Sequence, residues 1–298
     1  MPTQYRIGRD MGRGPREVSM NDEDAHAGWF AGVDPTDPDA AATGIREGRA
    51  ETPEAWPTLA VDDGVVPNED AYYDALRGAT LTAARDVVTE RERADDRQLI
   101  HAVRSMDDCE RVANELAERL TEWAGSLDDD AGSGVEYART VVGSDDVEPR
   151  LRSLAERIVD LDDEADELRA FIEQRAPDVA PNLAALAGPV LAARLISLAG
   201  DLESLAKKPS GTVQVLGAED ALFAHLRGHG TSPKHGVIFT HEYVRGTIPD
   251  ERGSAARALA GKLSIAARID HYSGEYNPEL EAELDRRIER IRTRGDDE

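Results

Sequence analysis

A mainly α-helical protein, built around a long antiparallel coiled-coil hairpin, is predicted by three features of the 298-residue sequence. From Asp96 to Leu127 apolar residues fall at Leu99, Val103, Met106, Cys109, Ala113, Leu116, Leu120, Trp123 and Leu127, in steps of three and four. The same rhythm returns at Leu151, Leu154, Ile158, Leu161, Ala165, Leu168 and Ile172. A third region, from Asn182 onward, carries helical pattern with many small residues and is predicted to be an all-helical C-terminal domain. Alternating threes and fours make a narrow apolar seam that follows a partner helix, whereas a helix lying on a broad core carries a wider stripe.

Taken in order, residues 1–27 are polar, Gly-rich and aperiodic, and are expected to form a flexible extension. Between Gly28 and Asp63 short apolar pieces (Trp29-Phe30, Val33, Trp56, Leu59-Ala60-Val61) sit among Pro, Gly and Asp, the pattern of a small domain of short elements and loops. Helical pattern begins near Glu69, with Tyr72, Leu76, Leu81, Val87 and Val88 as its expected inner face, and this small domain is placed at 28–93. The two seams occupy 94–176; the first helix is on the order of 45 Å long at 1.5 Å per residue. "DDDAGSG" and Asp145-Asp146 are expected to be a loop and a turn between them. Cys109 lies on the seam and is read as packing, since no basic neighbour is placed to lower its pKa.

Pro177 and Pro181 interrupt the second seam, and the C-terminal domain is placed at 177–298. Gly188-Pro189 is expected to kink the first of its helices, because proline removes a helical hydrogen bond and crowds the preceding turn. A β-branched run from Thr212 to Leu216 precedes the helix "GAEDALFAHL", and "RGHGTSPKHG" reads as a loop. Asp250-Glu251 opens a further helix in which Leu259, Leu263, Ala266 and Ile269 face inward while Arg252, Lys262 and Arg268 point outward. The stretch from Pro278 to Arg294 reads as a charged end-capping helix.

Charge is distributed unevenly. Formal net charge is −25, yet all four lysines, Lys207, Lys208, Lys234 and Lys262, fall between 207 and 262. From Lys207 to Arg268 nine Lys and Arg face five acids, so this window is cationic in a strongly anionic chain. Four of the seven histidines also lie in it. The acidic, lysine-poor remainder is the composition of a surface hydrated for concentrated salt, as in a halophilic archaeon. There is no apolar run of about 18 residues, and no apolar core follows the basic start, so neither a membrane span nor a signal peptide is expected. The protein is expected to be soluble and cytoplasmic.

Catalytic chemistry finds no support. Gly261-Lys262 is followed by Leu263 and has Ala256 where a phosphate loop needs glycine. His225 and His229 are four apart, but Gly228 and Gly230 weaken a helix there and nothing completes a metal site. Neither a metal nor a cofactor is expected, no catalytic residue is assigned, and the chain is read as a non-enzyme. A polyanion site is better supported. Lysine supplies point charge, arginine a fork for phosphate, and the N–H groups of a Gly-rich loop such as 228–236 approach a sugar–phosphate chain closely. On charge alone the alternative, that these cations pair with acidic helices of the same molecule, stands equally.

The wording of the C-terminal half weighs on that choice. "APNLAALAGPVLAARLISLAGDLESLAKKPSGTVQVLGAEDALFAHLRGHGTSPKHGVIF" and "RGSAARALAGKLSIAARID" resemble the Nop domain, and "DDRQLIHAVRSMDDCERVANELAERLTEW" resembles the coiled coil that precedes it. The resemblance covers about Glu69 to Tyr272 and points to the archaeal Nop-family scaffold of box C/D ribonucleoproteins in a salt-adapted form. It implies an N-terminal α/β domain, here reduced, that holds the methyltransferase fibrillarin. It further implies a self-associating coiled coil and a helical Nop domain that grips kink-turn RNA already bound by a small ribosomal-type protein. The guide RNA then selects a ribose of rRNA or tRNA for 2′-O-methylation, and the methyl donor, S-adenosylmethionine, belongs to fibrillarin.

Two positions depart from the family pattern. Asp220 stands where Gly-Ala-Glu is usually followed by Lys, and Ala224 where Arg often follows Ala-Leu-Phe, so neither is carried over as a phosphate contact. The RNA-binding candidates are Lys207, Lys208, Lys234, His235, Arg252, Lys262 and Arg268. The N-terminal region is shorter than the family's, and the family's basic tail is absent. Two other readings remain open: a Nop-domain RNA-assembly factor that acts without fibrillarin, akin to the splicing factor with this domain, and a purely structural coiled-coil protein.

Overall fold

A computed structural model describes residues 28–34, 36–48, 50, 52–144 and 146–296; side chains are described through residue 293. The chain divides into two compact units, 1–91 and 92–298. The first contains α1 (Pro38–Glu47), α2 (Trp56–Asp62) and most of α3 (Glu69–Glu92), and α2 and the start of α3 share a small core of Phe30, Ala60, Val66 and Tyr72. Trp29 closes this core, donating its indole N–H to the Tyr72 hydroxyl at 3.1 Å. No strand occurs among the described residues of this unit, so the implied α/β character has no counterpart there. The expectation of a flexible extension at 1–27 lies outside the described residues. The inner face of α3 also differs from expectation. Tyr72, Ala79 and Ala83 are buried with Leu76 half-buried, a stripe with helical spacing, while Leu81, Val87 and Val88 lie off it and are 48%, 50% and 60% exposed.

The second unit begins with α4 (Asp95–Gly125), α5 (Gly134–Val142) and α6 (Pro149–Val179). Helices α4 and α6 run antiparallel. Arg175 pairs with Asp95 at 2.6 Å at one end, Arg169 with Glu110 at 2.5 Å near the middle, and Leu120 shares a core with Leu151 and Ile158 towards the other end. All seven α6 seam residues are buried or half-buried. On α4 the seam holds from Leu99 to Ala113, then Ala117, Leu120 and Ala124 take the buried positions while Trp123 and Leu127 are 42% and 63% exposed. Leu99, Met106, Ala113 and Leu120 are spaced by seven, and Val103, Ala117 and Ala124 by multiples of seven, so the buried stripe keeps one heptad register; Trp123 falls one position off it and Leu127 lies beyond the end of α4. Leu120→Ala should therefore cost about 2–5 kcal/mol in chemical denaturation, and Trp123→Ala about 1 kcal/mol or less. Equal losses would return Trp123 to the seam.

The expected loop between the two long helices contains α5, which packs Ala138 and Val141 into the hairpin end. Arg139 of α5 bonds both Asp162 and Asp163 of α6, at 2.6 and 2.7 Å. Cys109 is half-buried; burial, then the carboxylates of Glu164 and Asp108, push its thiol pKa up, away from reactivity.

The C-terminal helices share one core with the base of the hairpin, from Leu99 and Ile172 through Leu195 and Leu259 to Ile291. Helix α7 (Pro181–Ala187) meets α8 (Pro189–Ala199) at a 116° bend. Gly188 sits there at φ 77, a left-handed conformation that glycine alone adopts freely, and Pro189 starts α8. No single helix among the described residues is long and apolar enough to cross a membrane. Short α9 (Leu202–Lys207), α10 (Ser210–Val215) and α12 (Glu242–Arg245) pack around α13 (Arg252–Tyr272), α11 (Glu219–Leu226) has no buried residue, and α14 (Glu279–Asp296) closes the unit. The β-branched run 212–216 is mostly helical: Val213 is fully buried in this core, and tertiary packing outweighs β propensity. Helix α14 is more than a charged cap, since Leu280, Leu284, Ile288 and Ile291 are buried.

One polar network ties the start of the C-terminal helices to the end of α13. Buried Asp270 accepts from the Asn182 N–H and side-chain amide at 3.0 and 2.7 Å and from the Leu183 N–H at 2.8 Å, capping α7. Asn182 in turn donates to the Glu275 carbonyl and accepts from the Asn277 N–H.

Candidate nucleic-acid interface

The loop 227–236 leaves α11 and is fastened at its far end against α10. The Gly236 N–H donates to the Gln214 carbonyl at 2.9 Å, and the Val237 N–H to the Leu216 carbonyl at 2.8 Å. A Cβ at Gly236 would stand 2.0 Å from the Leu216 oxygen, so this crossing requires glycine. The Gln214 amide donates to the Lys234 carbonyl at 2.7 Å, setting the backbone just before it.

Lys234, His235 and Arg252 come together here. The His235 ring stacks on Phe239 with centroids 4.5 Å apart and planes 19° from parallel, and the Arg252 guanidinium lies 5.5 Å from the same Phe239 ring. Arg252 is held by the Thr247 carbonyl at 3.0 Å. Lys234 is exposed and, among the described residues, has no ion pair. Its side chain passes the start of α13, where Gly253 leaves room.

The remaining candidates are dispersed. Lys207 pairs with Glu203 one turn back on α9. Lys262 is only 16% exposed in its ion pair with Glu283 of α14, and Arg268 donates from Nε to the Ala206 carbonyl at 3.1 Å. Lys262 holds α14 onto α13 instead of pointing free into solvent, while Arg268 is exposed and reaches the α9 carbonyl from there. The Lys208 carbonyl accepts from the Ser264 hydroxyl, while its ammonium has no ion pair among the described residues. Of the two departures, Asp220 is exposed and Ala224 half-buried on α11.

Between α10, α11, the loop and α13 lies a cavity of about 520 Å³, bordered by Thr212, Gln214, Ser232, Lys234, Gly253 and Arg257 among others. Its lining has two cations and no carboxylate, in a protein with 60 acids. Arg257 lies in the cationic window but is not among the candidates that the sequence singles out. Its spacing of four from Gly253 puts both on one face of α13, the signal that could have found it.

The histidines here give the fold a pH dependence. Desolvation, then the Arg252 and Lys234 cations, hold His235 below the usual imidazole range. Burial does the same for His241, whose Nδ1 accepts the Tyr243 N–H. With folded pKa values below the unfolded value of about 6.5, the unfolded chain binds more protons as pH falls through that range, so stability is lost on acidification. The thermal midpoint should fall between pH 7.5 and 6, and His241→Asn, which keeps an acceptor for the Tyr243 N–H, should flatten that fall. A slope unchanged in the variant would remove His241 from this account.

The family model described as "Nop: snoRNA binding domain, fibrillarin" matches residues 98–290. The chain belongs to the Nop family. It is 33% identical over 270 residues to an uncharacterized NOP5 family protein of Methanocaldococcus jannaschii, covering 77% of this chain and 65% of that protein. It is 41% identical over 162 residues to nucleolar protein 56 of Schizosaccharomyces pombe, covering 52% of this chain and 33% of the relative. This Nop-family chain thus spans less than two thirds of the length of either relative. A chain in the crystal structure of a fibrillarin/Nop5p complex superposes with a TM-score of 0.51 at 26% identity, covering 86% of this chain and 91% of that one. The matched Nop span includes most of the hairpin, the cavity beside Lys234 and most of α14.

Proposed function

We propose that this Nop-family protein is a non-catalytic scaffold of a box C/D guide ribonucleoprotein. In this reading the segment 177–298 binds kink-turn RNA together with a small kink-turn-binding protein, and the hairpin of 94–176 self-associates. Residues 28–93 recruit fibrillarin, which carries out 2′-O-ribose methylation of rRNA or tRNA with its own S-adenosylmethionine. The assembly is placed in the cytoplasm.

The observation that carries the reading is the carboxylate-free cavity beside Lys234 and Arg257, inside the span that matches the snoRNA-binding family. A cleft of one sign in a chain of net charge −25 focuses the field on an anion. The exposed Lys234 supplies a point charge, and His235 and Arg252, braced by Phe239, offer flat faces beside it for an unstacked base. The structural likeness to a chain of the fibrillarin/Nop5p complex supports the fibrillarin partner.

The test is binding of the full chain to a box C/D kink-turn RNA across a salt series, with and without the kink-turn-binding protein. Tight binding that needs the partner and weakens with salt is expected. No binding at any salt with the partner present would leave the lysines as structural groups. A pull-down with fibrillarin decides between the full scaffold and an RNA-assembly factor that acts without it, the reading favoured by the strand-free described residues of the first unit.

A further inference from the structure

We propose a second phosphate-binding cleft, between α13 and α14, that takes the RNA backbone beyond the Lys234 cavity through Arg257, Arg287 and Arg290. The proposal rests on the scaffold reading above and extends its RNA-binding surface onto α14.

Helices α13 and α14 pack antiparallel, from the Lys262–Glu283 ion pair near one end to a cleft of about 400 Å³ at the other. Ser254, Arg257, Arg287, Arg290 and Ile291 line that cleft. Each helix contributes a pair of polar residues three apart. Such residues share a face and lie about 4.5 Å apart along the axis, while packed axes stand about 8–10 Å apart. The result is one hydroxyl and three guanidinium groups around a patch of phosphate dimensions, with Ile291 as its apolar floor. Arg257 borders both this cleft and the Lys234 cavity, so the two form a continuous cationic path.

The company these arginines keep is the second observation. Arg111, Arg119, Arg139, Arg169, Arg175 and Arg194 pair with carboxylates, whereas Arg77, Arg85, Arg150, Arg227 and Arg245 stand singly without an ion pair among the described residues; at this cleft three arginines are gathered. Arg257 and Arg287 have no ion pair or hydrogen bond among the described residues, and Arg290 bonds only the Arg286 carbonyl, at 3.1 Å. All three are exposed. Asp285 and Glu289 lie on the adjoining face of α14 with Arg286, where Arg290 also reaches, and neither lines the cleft. Three like charges gathered without counter-charge repel one another, in a protein that has 60 acids with which to relieve them. A phosphodiester supplies the missing charge, and the guanidinium fork fits its oxygens in pairs.

The experiment compares Arg287→Ala/Arg290→Ala with wild type in the full chain, with the kink-turn-binding protein. The RNA is a kink-turn whose stem is extended on either side. The double variant should bind about tenfold or more weakly, and the slope of log affinity against log salt should fall by about 1.4–1.8, the value for two lost phosphate contacts. Arg286→Ala should leave both unchanged, and the thermal midpoints of all three proteins should agree. Wild-type affinity and slope in the double variant overturn the cleft while leaving the scaffold reading intact. Failure of wild type itself to bind overturns the scaffold reading and this proposal with it. A parallel arm follows the thermal midpoint in inorganic phosphate against chloride at matched ionic strength. A rise lost in the double variant, with RNA affinity unaffected, would assign the cleft to a free oxyanion and overturn the RNA assignment.

Discussion

Asp270→Ala should lower the thermal midpoint of the protein by about 6–12 °C. The carboxylate accepts the Asn182 N–H, the Asn182 amide and the Leu183 N–H, in a site where Asp270 is 7% and Asn182 1% exposed. Removing it strands three donors away from water. A buried polar group left without a partner costs about 1–3 kcal/mol, and shared relaxation keeps the total near 3 kcal/mol, at about 2–4 °C per kcal/mol for a unit of this size. The loss also uncaps α7 next to the Gly188 bend, so the approach of α7 and α8 to α13 is weakened at its polar end. Asp270→Asn should recover only part of the stability, because an amide offers one acceptor and turns a donor toward another. Calorimetry on the three proteins decides it; a midpoint shift under about 2 °C for the alanine variant would mean that water satisfies these donors.

Lys234→Ala and Lys262→Ala should separate RNA binding from folding. Sequence reasoning groups these lysines as equivalent candidates, but the structure leaves Lys234 exposed at the cavity and inserts Lys262, 16% exposed, into an ion pair with Glu283. Lys234→Ala should weaken kink-turn RNA binding about tenfold and lower the salt slope by about 0.7–0.9, with an unchanged thermal midpoint. Lys262→Ala should leave RNA affinity and slope unaltered and lower the midpoint, because Glu283 loses its partner across the α13–α14 contact. Loss of RNA binding in the Lys262 variant at an unchanged midpoint would show that the pair opens to admit a phosphate, and would relocate the interface.

The elements most legible in the sequence are those whose signal is local. Leu151 to Ile172 mark the buried side of α6, with Leu151, Ile158, Ala165 and Ile172 buried and Leu154, Leu161 and Leu168 half-buried, although Ala155 is buried outside that seam; a helix pairing with a partner repeats its contacts every turn. Gly188-Pro189 announces its bend because the backbone restrictions of proline and the freedom of glycine belong to the residues themselves. Legibility fails where a neighbour decides. Short α5 and α10 lie in stretches that read as loop and as β-branched run, and each is helical in the place where it fills a gap beside a longer helix. Trp123 and Leu127 look like seam residues by size, but the buried heptad register runs through Ala113, Ala117, Leu120 and Ala124, which leaves Trp123 one position off it and Leu127 past the end of α4.

The candidate site divides in the same way. The sequence by itself determined that the cationic window lies in the C-terminal half, that a Gly-rich loop runs through it, and that the chain has the wording of the Nop family. Charge content and loop chemistry are properties of residue type and order, so they survive without coordinates. Only the tertiary structure decided which cations are free. Arg268 and Lys262 are drawn into contacts with α9 and α14, while Arg257, Arg287 and Arg290 are left together without counter-charge. The reason is distance. Whether a charge is neutralised depends on partners within a few ångströms, and between α13 and α14 those partners lie some twenty to forty residues apart along the chain, in an arrangement that only helix packing creates.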